Sequence, residues 1–154
     1  MLRQTVIAAC EKVIVSSDLD VSLITLFDKL TVEIAAGIEI PANLVAAKEW
    51  VVFSKWLPEA GDEVKEYVHC FQMMYPDQSP FGNVIRQKLK IEQNKQAQNI
   101  MKMVGFPIGQ QGSYTVRIWI EQGDKPVLQP IDLKLEVEWK TTQPTPSVKD
   151  EKQN

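Results

Sequence analysis

Histidine and cysteine are nearly missing from this chain of 154 residues, which holds one of the first and two of the second. With no CxxC spacing and a single imidazole, the usual four-ligand zinc site has too few soft ligands to form without carboxylates. A disulfide framework is not needed either, because a chain of this length buries roughly two-thirds of its unfolded surface and can support one core unaided. Excess positive charge is also missing: 17 Lys and Arg stand against 20 Asp and Glu, a formal charge of -3. That balance offers no long-range attraction to nucleic acid or an anionic membrane. No segment reaches the ~18 consecutive apolar residues of a membrane-spanning helix. Ala8-Ala9-Cys10 has a lipoprotein-like ending, but the apolar stretch from Val6 to Ala9 is too short for a secretory signal, and Glu11 and Lys12 interrupt the run beyond Cys10. No Asn-x-Ser/Thr site occurs, which agrees with an intracellular compartment but discriminates little. A soluble, cytoplasmic protein is expected, with Cys10 buried in a strand.

What the chain does have is period two. Ile131, Leu133, Leu135, Val137 and Trp139 alternate with Asp132, Lys134, Glu136 and Glu138, the pattern of a half-buried strand. Tyr114, Val116, Ile118 and Ile120 form a second such row, and Gly123, Asp124, Lys125 and Pro126 supply turn formers between the two, predicting an antiparallel hairpin. Ser22 to Ile34 reads as another strand, with Asp28 interrupting its apolar row and requiring either partners or a bulge. Val64 to Tyr75 carries large residues on both faces and reads as doubly buried. Val6 to Val15, Trp50 to Leu57, Leu89 to Glu92 and Ile100 to Val104 are shorter candidates. Pro41 is able to open a helix, and 94–99 has no strand character. The expected fold class is all-β: an antiparallel, Greek-key-like β-sandwich of about eight strands. Residues 1–140 form its single domain, and 141–154, rich in proline, hydroxyl and charged residues, are read as a flexible tail.

Phe106-Pro107-Ile108-Gly109-Gln110-Gln111-Gly112-Ser113-Tyr114 reads as an ordered corner. Tyr114, opening a late strand two residues after Gly112, is similar to the tyrosine corner of Greek-key sandwiches, whose phenol bonds to upstream backbone. Together with Ser22-Leu23-Ile24-Thr25-Leu26-Phe27, these residues make 5–140 resemble a group of small bacterial β-sandwich domains of unknown function. The resemblance implies the fold and transfers no catalytic residue.

The chemical candidates are few. His69 and Cys70 are neighbours, so on a strand they point to opposite faces and cannot share a substrate atom. A nucleophile–base pair would need Cys10 and His69 to converge across strands; otherwise His69 is a structural side chain with one bonded nitrogen. Asp18 and Asp20 alternate within a turn, and with Asp62, Glu63, Asp77 and Asp124 they could gather calcium, although six to eight oxygens are needed. Gly109-Gln110-Gln111-Gly112 lacks the helix and basic residues of a phosphate or RNA loop. Trp119 shares a strand face with Thr115, Arg117 and Glu121, where an exposed indole beside a guanidinium would make a contact surface. These residues predict no catalytic site, no metal and no cofactor. The expected role is a noncatalytic protein-interaction or assembly module with a protein partner or a second copy of itself. The alternative is a sandwich that binds sugar or calcium.

Overall fold

The computed structural model describes residues 2–18, 20–59, 65–92 and 95–143. Ten strands occur among them: β1 (Leu2–Val15), β2 (Val21–Leu26), β3 (Lys29–Ala35), β4 (Val45–Pro58), β5 (Lys65–Met74), β6 (Pro80–Ile91), β7 (Ala97–Pro107), β8 (Gly112–Gln122), β9 (Lys125–Pro126) and β10 (Ile131–Thr142). They form two sheets, β2-β1-β4-β7 and β3-β10-β8-β5-β6, with short β9 paired to β8. The alternating rows explain why two layers form, since each strand has one face to hide and the sheets hide theirs against each other. Trp50, Val52 and Trp56 of β4 and Met101 of β7 enter the core from one side. Phe71 and Met73 of β5, Val116, Ile118 and Ile120 of β8, and Leu135 and Val137 of β10 enter from the other. β8 and β10 pair antiparallel, Ile118 opposite Ile131 and Val116 opposite Leu133, as their rows require.

The single strand expected from Ser22 to Ile34 is two strands in different sheets. β2 pairs antiparallel with β1, whereas β3 pairs with β10 in parallel, Leu30 opposite Val137 and Val32 opposite Trp139. The chain changes sheets at Phe27–Asp28, just after Thr25, whose φ is 53°. Asp28 is exposed at this crossover and its carbonyl accepts a 2.7 Å bond from the Glu136 N–H, so its carboxylate never enters the core. A parallel pair follows because β3 arrives by crossover and not by hairpin.

Other boundaries move for related reasons. No helix starts at Pro41; Leu44 N–H turns back to the Pro41 carbonyl (3.0 Å) and β4 begins directly afterwards. β6 starts at Pro80, although its exposed middle shows no apolar alternation, because β5 supplies the pairing partners. β7 begins at Ala97, where Gln98 and Asn99 are drawn into the ladder opposite Lys55 and Ser54. β10 continues through Thr142, two residues past the expected boundary at Lys140, because β3 offers Ile34 and Ala35 as partners. The rest of the expected tail, 144–154, lies outside the described residues. No helix long and apolar enough to cross a membrane occurs among the described residues.

Candidate interaction surface

Arg117, Trp119 and Glu121 lie on the outer face of the second sheet, on β8, and the fold engages all three internally. Arg117 donates from Nε and Nη2 to both carboxylate oxygens of Asp132, each at 2.8 Å, which holds that acid below the usual carboxylate range. Trp119 is half-buried, and its Nε1–H donates to Glu121 Oε1 at 2.7 Å. Glu121 Oε2 also lies 3.6 Å from Arg86 Nε on β6. The indole expected to be exposed beside the Arg117 guanidinium is half-buried, and each of the two groups has a carboxylate partner of its own. Beneath them sits Cys70, cross-strand partner of Trp119 and fully buried. Burial first, and the neighbouring Glu121 second, push its thiol up to about 12, so it is protonated at neutral pH and a poor nucleophile.

Cys10 and His69 do not meet. Cys10 stands opposite Val51 and shares its direction, away from the core, whereas His69 bonds Ser54, which points inward. Ser54 Oγ lies 3.1 Å from His69 Nε2 and accepts the Trp56 indole N–H at 3.0 Å. His69 Nδ1 is buried without a partner, and desolvation lowers the imidazole to about 4, so it is neutral at physiological pH. Among the described residues, no group of three or more His, Cys, Asp or Glu side chains is placed to hold a metal. Asp77 spends its carboxylate on the Ser79 N–H and hydroxyl (2.8 and 2.6 Å), and Asp18, Asp20 and Asp124 are exposed. Asp62 and Glu63 lie outside the described residues.

At the corner, the Tyr114 phenol donates to the Gln110 carbonyl (2.9 Å) and accepts the Gln110 N–H (3.2 Å). Gly112 has a φ of 125°. At Gly109 a Cβ would collide with the carbonyl oxygens of Pro41 and Ala42, so only glycine fits against the turn that precedes β4. Ile108 and Gly109 N–H groups both donate to the Leu44 carbonyl, at 2.9 and 3.1 Å, which fastens the corner to the start of β4.

That anchoring fixes β7, whose edge, free among the described residues, is a feature that residue-by-residue reading missed. β7 pairs with β4 along one side, and among the described residues no strand pairs with its other side. The other sheet edges carry protection of the kind that blocks unwanted pairing. β2 is short and distorted at Thr25, β3 exposes Lys29 and Glu33, and β6 carries Pro80, Gly82, a register shift and Arg86, Lys88 and Lys90. β7 has Lys102 as its one charge, its Gly105 (φ 89°), Pro107 and register shift with β4 are confined to one end, and Val104 is 83% exposed. Val104 borders two hollows. One, of about 260 Å³, opens between the edges of the two sheets and is lined by Phe71, Met73, Phe81, Ile85 and Met103. The other, of about 610 Å³, lies where β1 leaves β4 beyond the Cys10–Val51 pair, with Glu11 and Lys12 facing Glu49 and Lys102. The inward side-chain row of an added strand would therefore find the smaller cavity beside it, whereas the larger hollow lies on the β4 side of β7. The sequence signal was the run Ile100-Met101-Lys102-Met103-Val104, readable as a strand but not as an edge. Comparison with protein-family models and with curated proteins finds no match to this chain.

Proposed function

We propose that this chain is a noncatalytic interaction module that binds a partner protein by adding one of the partner's strands to the free edge of β7. The observation that carries the reading is the nearly uncharged β7 edge, unpaired among the described residues, with an apolar hollow between the sheets beside it. Strand addition takes its affinity from main-chain hydrogen bonds and its selectivity from pockets for alternate side chains. An edge of this kind left bare would invite aggregation, so a partner that covers it gives it a purpose. The internally bonded Trp119 face is the poorer binding surface, because a partner would have to displace the Glu121 and Asp132 contacts. At the finer level we read the fold as a Greek-key sandwich. Support comes from β4–β7 paired in one sheet while β5–β8 pair in the other, and from the phenol that opens β8 and bonds back to the corner.

Affinity isolation of the full chain from its native cell tests the binding reading with three baits: wild type, Val104→Lys and Trp119→Ala. A specific protein recovered by wild type and Trp119→Ala but lost with Val104→Lys is the expected result. Recovery unaffected by Val104→Lys overturns it, and loss confined to Trp119→Ala moves the interface to the β8 face.

A further inference from the structure

We infer that the strand accepted by β7 alternates apolar with acidic residues, an inference that rests on the strand-addition reading above. The two strands bounding the open side of the sandwich, β6 and β7, contain Arg86, Lys88, Lys90 and Lys102 and no Asp or Glu, in a chain whose net charge is -3. Arg86, Lys88 and Lys90 stand opposite Cys70, Val68 and Glu66 on the outer face of the second sheet, so the charge beside the β7 edge is Lys102, which has no ion-pair partner among the described residues. Lys102 is exposed on the outer face of β7 between Ile100 and Val104. A strand laid along β7 brings its own outward side chains to about 5 Å from that row, the range in which cross-strand charges of opposite sign attract. Its alternate side chains turn towards the opening between the sheets, where Phe71, Met73, Phe81, Ile85 and Met103 offer an apolar lining. The period of two thus assigns acid to one face of the incoming strand and hydrocarbon to the other.

Charge and sequence pattern argue against the two nearest alternatives. A second copy paired antiparallel through β7 would set the Lys102 of both molecules on one outer face, where like charges oppose each other. The chain's own residues 144–154 balance Lys149 and Lys152 with Asp150 and Glu151, but with Pro144, Pro146 and Val148 as the one large aliphatic residue they are not an alternating apolar strand.

The test uses the full chain and two labelled seven-residue peptides with valine at odd positions and either glutamate or lysine at even positions. Fluorescence anisotropy gives affinity, and amide exchange locates the contact. The glutamate peptide is expected to bind about three- to tenfold more tightly than the lysine peptide at low salt. That preference should reverse in Lys102→Glu, with new protection on the β7 amides in the wild type. Equal binding of both peptides with β7 protected overturns the acidic preference and leaves strand addition standing. Binding of neither peptide, or protection away from β7, overturns both. A peptide-free dimer in sedimentation with β7 amides already protected assigns the edge to a second copy and overturns the inference.

Discussion

Each of the four tryptophans finds a partner for its indole N–H: Trp50 at the Gly105 carbonyl, Trp56 at Ser54 Oγ, Trp119 at Glu121 and Trp139 at the Ile108 carbonyl. Large rings are buried here without stranding a donor, which is the condition for using tryptophan in a core. Among these nitrogen-bearing rings His69 is the exception, with Nδ1 left unsatisfied, and it makes stability depend on pH. Its folded-state imidazole is lowered to about 4 from an ordinary 6.5. The unfolded chain therefore takes up a proton first as pH falls, and stability is lost from pH 6.5 downwards until the folded form also protonates. Between about pH 7.5 and about pH 5 the loss is about 2 kcal/mol. The carboxylates lowered by Arg117, Trp119 and Ser79 act in a more acidic window, below the ordinary carboxylate range. Urea unfolding of wild type and His69→Gln at the two pH values checks this. Most of the difference should vanish in the variant, and an unchanged difference would assign it to other groups.

At the scale of elements, the β7–β8 corner is the part most dependent on single residues. Tyr114→Phe keeps the ring in its aromatic cluster with Tyr75 and Phe106 but removes the bonds to Gln110, at an expected cost of about 1 kcal/mol in chemical denaturation. Gly109→Ala should cost about 3 kcal/mol, because its Cβ meets backbone oxygens that cannot rotate away. Gly123→Ala, with φ +62° and open space around it, should cost only about 1 kcal/mol. Equal costs for the two glycines would mean that the turn before β4 yields to the corner. This corner was legible in the sequence because glycine, proline and tyrosine act over a few residues. The break between β2 and β3 was not, because Ile24, Leu26, Leu30 and Val32 keep one parity while the chain crosses from one sheet to the other.

For the molecule as a whole, the parallel β3–β10 pair ties an early strand to the last one, Lys29 opposite Glu136 and Ala35 opposite Thr142. Contacts so distant in sequence must await closure of nearly the entire chain, so refolding monitored by tryptophan fluorescence should take milliseconds to seconds and not microseconds. A chain ending at Pro130 would lack β10, leaving β3 without a partner and uncovering core positions next to Leu135 and Val137. Near-ultraviolet circular dichroism should show that it has no fixed tertiary structure, whereas a native-like spectrum would mean that the β5–β8 sheet stands without its neighbour. The outer face of the first sheet is also a whole-molecule property. Val51 and Phe53 point away from the core yet are buried, and Val21 and Leu23 of the β1–β2 hairpin share a hollow with Val6, Phe53 and Lys55. The hairpin overhangs that face and shelters side chains that alternation alone assigns to solvent.

By itself the sequence determined an all-β chain built of two apolar-faced layers, the β8–β10 hairpin and the residues of the β7–β8 corner. These follow from alternation and turn chemistry, which act between residues close together in the chain. The tertiary structure alone decided where the chain changes sheets, that Cys10 and His69 face opposite ways, that Trp119 bonds to Glu121, and that no described strand covers the outer edge of β7. Those outcomes depend on which strand lies beside which. Pairing is settled by contacts between distant segments, and a period of two is the same for a central strand as for an edge.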